Sequence, residues 1–84
     1  MADFEIRAWT RPHASGHWDA FAISYPVGAT RRVAVDRMER PAATEGDARS
    51  AAVTLAGLIA EKVRRRGDEV SSLRVLEQPP DGFP

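Results

Sequence analysis

The chain has 84 residues, room for one small domain and too little for most multi-domain enzymes. It carries 12 Lys+Arg against 12 Asp+Glu, and a net charge of zero argues against a dedicated nucleic-acid binder. Its 43% hydrophobic residues can build a core, while the absence of cysteine excludes disulfides, thiolate zinc sites and cysteine nucleophiles.

From Phe4 to Thr10 the sequence alternates, with Phe4, Ile6 and Ala8 on one side and Glu5, Arg7 and Trp9 on the other. That is the period of a half-buried strand. Arg11-Pro12-His13-Ala14-Ser15-Gly16 reads as a loop, its turn supplied by proline and glycine. A second strand is predicted from about His17 to Tyr25, broken by Pro26-Val27-Gly28-Ala29, and a third from Arg31 to Met38. Short connections make these three an antiparallel meander.

Beyond Pro41 the period changes. Ala48, Ala51, Ala52, Leu55, Leu58, Ile59, Lys62 and Val63 recur at helical spacing, predicting an amphipathic helix over roughly Glu45 to Arg66. Thr44-Glu45-Gly46-Asp47 resembles a capping box with acids in the first turn. Arg64-Arg65-Arg66 suits the negative end of the helix dipole, and Gly67 follows as the terminator. A short fourth strand is expected from Val70 to Leu76, and Pro79-Pro80 opens a tail over residues 79–84.

The order β-β-β-α-β predicts an α+β fold in a single domain over residues 1–78. The helical crossover returns strand four parallel to strand one, giving sheet order 3-2-1-4 with the helix on one face. The expected core is Phe4, Ile6, Phe21, Ile23, Val33, Val35, Leu55, Leu58, Ile59, Leu73 and Val75. The longest apolar stretch, Ala51 to Ala60, falls short of the roughly 18–20 residues a membrane span needs. Asp3 and Glu5 interrupt any signal-peptide pattern, so the expected location is cytoplasmic.

His13 and His17 lie four apart, with Asp19 nearby. A zinc site needs three or four ligands of fixed geometry, which such a loop does not preset, so no metal or cofactor is expected. Ser15 stands beside both histidines, yet spacing fixes no orienting acid and no nucleophile elbow surrounds it. The expectation is a non-catalytic protein.

Two surfaces invite partners. Ala52, Ala56 and Ala60 form a small-residue row beside Gly57 and Val53, on an apolar arc wider than one sheet contact requires. That row predicts a homodimer through the helix, with a sheet edge as the alternative. The second surface comes from register: pairing Ile6 with Phe21 and Phe4 with Ile23 sets Trp9 opposite Trp18. Pairing Phe21 with Val35 sets Asp19 opposite Arg37 and Met38 beside Trp18. Trp9, Trp18 and Met38, bordered by Arg7 and Arg40, would then form a row on the uncovered sheet face. Trp, Met and Arg are enriched at protein interfaces, and Trp dominates hot spots. The bland alternative is a cross-strand aromatic pair that stabilises an exposed sheet.

At Thr44-Glu45-Gly46-Asp47, followed by Ala48 and Ala51, the helix entry resembles that of HicB-type antitoxins. Those proteins have a partial RNase-H-like β-β-β-α-β fold, and Tyr25-Pro26 is similar to their Phe-Pro segment after strand two. The resemblance covers about two-thirds of the chain by topology and a handful of residues. It implies a small regulatory protein whose partner is a protein such as a toxin-like enzyme. Strand three here is longer than the family's, and the sequence shows none of its DNA-binding extension after strand four. The same order also looks like small proteins related in shape to ribosome-hibernation factors, whose characteristic residues before the helix are missing. The expected function is a non-catalytic protein-interaction or regulatory module. The alternative is an RNA- or ribosome-binding protein using arginines and exposed tryptophans.

Overall fold

The computed structural model describes residues 2–28 and 34–79. Its elements are β1 (Asp3–Pro12), β2 (Trp18–Pro26), β3 (Ala34–Arg37), α1 (Glu45–Arg65) and β4 (Glu69–Val75). They form one four-stranded mixed sheet in the order β3-β2-β1-β4, the predicted α+β architecture. β1 pairs antiparallel with β2 and parallel with β4, and β2 pairs antiparallel with β3. The expected start of the third strand at Arg31 and the tail from Pro80 lie outside the described residues. No described helix is long and apolar enough to cross a membrane.

Local chemistry explains where each element stops. β1 and β2 are joined by a tight turn in which Gly16 N–H donates to the His13 carbonyl at 3.0 Å, with Gly16 at φ 87°. A left-handed residue there is cheapest as glycine. Thr44 Oγ1 caps α1 by accepting from Asp47 N–H at 3.1 Å. At the other end, Asp68 N–H reaches the Val63 carbonyl and Gly67 N–H the Arg64 carbonyl, the Schellman pattern, with Gly67 at φ 86°. The chain therefore leaves the helix directly into β4. Between β1 and β4 the register shifts at Phe4/Glu5, where Ser71 is the extra residue and its hydroxyl donates to the Phe4 carbonyl.

The core lies between α1 and one face of the sheet. Phe4, Ile6 and Ala8 of β1 and Ala20 and Ala22 of β2 meet Ala52, Ala56, Ile59, Ala60 and Val63 of the helix. α1 lies on β1 and β2 and reaches β4. The alanines on both layers let helix and sheet approach closely, and this corrects the expected dimer row. Ala52, Ala56 and Ala60 are buried against the protein's own sheet and present nothing to a second chain. Gly57 is not part of that packing either: it is exposed, and a Cβ there would meet nothing within 4 Å.

Strand register also differs from expectation. Ile6 opposes Ser24, Ala8 opposes Ala22 and Trp9 opposes Phe21. This is a slip of three residues from the expected pairing, and an odd slip turns every side chain of β2 to the other face. Phe21 and Ile23 are buried, as predicted, but on the face away from the helix. There they join Trp9, Tyr25 and Leu76 in a second cluster. The physical reason is volume: a helix packed through alanines leaves room for Ala20 and Ala22 beneath it, and the larger side chains occupy the opposite face. Of the other expected core residues, Val35, Leu58 and Leu73 are exposed, Leu55 and Val75 are half-buried, and Val33 lies outside the described residues.

Candidate functional site

The row expected across the open sheet face does not assemble. Trp9 is on that face but is 0% exposed, stacked on Phe21 with ring centroids 5.5 Å apart and planes 16° from parallel. Trp18 faces the helix side, opposite Pro12, and exchanges backbone hydrogen bonds with Ala42 at 2.9 and 2.8 Å. Met38 also packs against the helix-side core. Arg7 is engaged at the β1–β4 seam, where its Nη1 donates to the Ile6 carbonyl at 2.8 Å and to Ser72 Oγ at 3.0 Å. Two of the five candidates, Met38 and Arg40, do come together, on a different surface.

The open face is instead a closed aromatic and ionic cluster. The Arg11 guanidinium stands 4.9 Å from the Phe21 ring centre and the Arg37 guanidinium 5.7 Å from it. Arg37 Nη2 donates to Asp19 Oδ1 at 3.3 Å, so the expected Asp19–Arg37 attraction exists. It forms diagonally, because Arg37 is opposite Phe21 in the register. The Asp19 side chain is only 3% exposed, which makes Arg37 an electrostatic partner of a carboxylate inside the fold.

At the hairpin tip, Ser15 links the two histidines. Its Oγ lies 2.7 Å from His13 Nδ1 and 3.2 Å from His17 Nδ1, and its backbone N–H donates to His13 Nδ1 at 3.1 Å. This network is exposed, and Asp19 is turned away toward Arg37. Among the described residues, no group of three or more His, Cys, Asp or Glu gathers as a metal site. The contacts shown at the tip order a turn.

Among the described residues, a shallow, open groove lies between α1 and the segment that follows β3. Met38, Ala51 and Leu55 supply its apolar walls, with Thr54 on the helix and Arg37, Glu39 and Arg40 on the strand side. The groove holds about 660 Å³. It exists because α1 sits over β1 and β2, while the chain leaving β3 returns to pair with Trp18 at Ala42. Leu58, one turn beyond Leu55, is 49% exposed and extends the apolar strip along the helix.

No family model, curated protein or solved structure matches the chain. The groove must be read from its own chemistry. Its sequence signal was the width of the apolar arc: Ala51, Leu55 and Leu58 lie on the flank of the helix, outside the buried stripe. Periodicity predicted a surplus, but placed it beside the Ala52, Ala56 and Ala60 row and counted Leu55 and Leu58 in the core. It could not say that the segment after β3 would stand beside it and turn a flank into a groove.

Proposed function

We propose that the protein is a small non-catalytic module that binds another polypeptide through the groove between α1 and the end of β3. The observation that carries this reading is the groove itself: apolar walls of Met38, Ala51 and Leu55 under a rim of Glu39 and Arg40, continued by exposed Leu58. An apolar floor with a charged rim is the anatomy of a protein interface. In the sense of the HicB-type resemblance, such a module is regulatory and antitoxin-like, its partner a protein such as a toxin-like enzyme or a second copy of the chain.

The nucleic-acid reading has less behind it. Trp9 is buried in its stack, so it offers no free ring for an unpaired base, and the net charge is zero. Arg7 is committed to Ser72 and the Ile6 carbonyl.

The test is a photo-crosslinking amino acid at Thr54, in the groove, and separately at exposed Glu69 on β4, in cells expressing the full chain. A discrete protein adduct is expected from position 54, lost when Leu58→Asp is added, and none from position 69. An adduct at neither position, or adducts indifferent to Leu58→Asp, would overturn the reading.

A further inference from the structure

We infer that the occupant of this groove is a second copy of the chain, docked through α1 in an antiparallel pair. The inference rests on the docking reading above and names its partner. On α1, Asp47, Ala51, Leu55, Leu58 and Lys62 follow one another three or four residues apart and so align on one flank, with Thr54 one turn from both Ala51 and Leu58 at its edge. The strip is acidic toward the helix start, apolar in the middle and basic toward its end. Such a strip complements itself when reversed.

A two-fold axis between Thr54 and Leu55 sets residues equidistant from it against one another, as an isologous interface requires. Thr54 then meets Leu55, Ala51 meets Leu58, and Asp47 meets Lys62, each pair occurring twice. The large side chain falls opposite the small one. Leu58 of each copy enters the other's groove where Ala51, Leu55 and Met38 form the wall. Asp47 and Lys62, about 22 Å apart along the helix at 1.5 Å per residue, close the two ends with opposite charges. Both are exposed, and neither joins an ion pair among the described residues. With zero net charge, no overall repulsion opposes the approach of two copies.

The dimer uses the opposite flank from Val53 and leaves the buried alanine row inside each protomer. A helix from an unrelated protein could bury Leu55 and Leu58 as well. It would not by itself account for an acid, a small residue, a large residue and a base placed in mirror order about one point.

Sedimentation equilibrium of the full chain from micromolar to high micromolar concentration tests this. Wild type is expected to reach the dimer mass and Leu58→Asp to stay monomeric with an unchanged circular dichroism spectrum. Asp47→Lys alone and Lys62→Glu alone each create two like-charge contacts and should weaken the dimer about fivefold or more. Mixed one to one, the two variants restore opposite charges at both ends. The introduced lysine of one copy faces the introduced glutamate of the other, and the retained Asp47 faces the retained Lys62. The mixture should recover wild-type association. A monomeric wild type at every concentration overturns the inference, as does a dimer unaffected by Leu58→Asp or a mixture no better than its components. A monomeric wild type whose position 54 still crosslinks to a different protein overturns the second copy while leaving the docking reading in place.

Discussion

The Asp19–Arg37 contact shows most clearly how a single side chain is held. Asp19 is buried, Arg37 is half exposed, and the guanidinium also lies against Phe21. Solvent on the arginine side weakens the ion pair, while burial of the carboxylate raises the penalty for removing its partner. Arg37→Met should therefore destabilise the fold by about 1–2 kcal/mol in urea unfolding, part of it from lost packing on the ring. Adding Asp19→Asn should recover some of that loss. Strict additivity of the two changes would show that the contact contributes nothing. The charge pair was legible in the sequence because opposite charges on neighbouring strands attract whether they sit directly or diagonally across. The tryptophan row was not, because it depended on register, and an odd slip moves a side chain to the other face. Placing Phe21 and Ile23 under the helix followed from preferring large apolar residues in the core. The alanines of α1 reverse that preference, since a closely seated helix has room only for Ala20 and Ala22 beneath it.

At the scale of elements, the helix was the most readable part. Its cap at Thr44 and its glycine terminator at Gly67 are local chemistry, independent of what the helix packs on. The same substitution at two glycines should have opposite signs. Gly57→Ala should stabilise by about 0.5–1 kcal/mol, because the site is helical, exposed and sterically open. Gly67→Ala should destabilise by about 1 kcal/mol, because the left-handed backbone penalises a Cβ even where space is free. Thermal melts decide both, and a stability loss at Gly57 would mean that something packs on that face. The strands were readable in order and less so in partner. With Trp18→Phe, the remaining Trp9 emission should be blue-shifted and protected from acrylamide, as its complete burial requires. Red-shifted, freely quenched emission would contradict the observed β1–β2 register.

At the scale of the whole molecule, the two sides of the sheet are used differently. One carries α1 over an alanine-lined core; the other closes on itself through Trp9, Phe21, Ile23, Tyr25 and Leu76. Among the described residues an open concavity lies to the side, where the flank of α1 meets the segment after β3. That site was half visible in the sequence. The surplus of apolar residues on the helix could be counted, though not its flank, and Met38 and Arg40 were picked out only as part of a row on the opposite sheet face. Their meeting with Leu55 and Ala51 needed the path from Arg37 to the Ala42 bridge, which no periodicity encodes.

The most direct measurement is a dilution series of backbone amide NMR spectra on the full chain. Docking of a second copy on the α1–β3 groove predicts concentration-dependent shifts at Met38 to Arg40 and from Ala51 to Leu58, fading toward Glu69 to Arg74 and the hairpin tip. Spectra unchanged up to millimolar concentration, or shifts centred on Arg7, Phe21 and Ile23 of the opposite face, would contradict it.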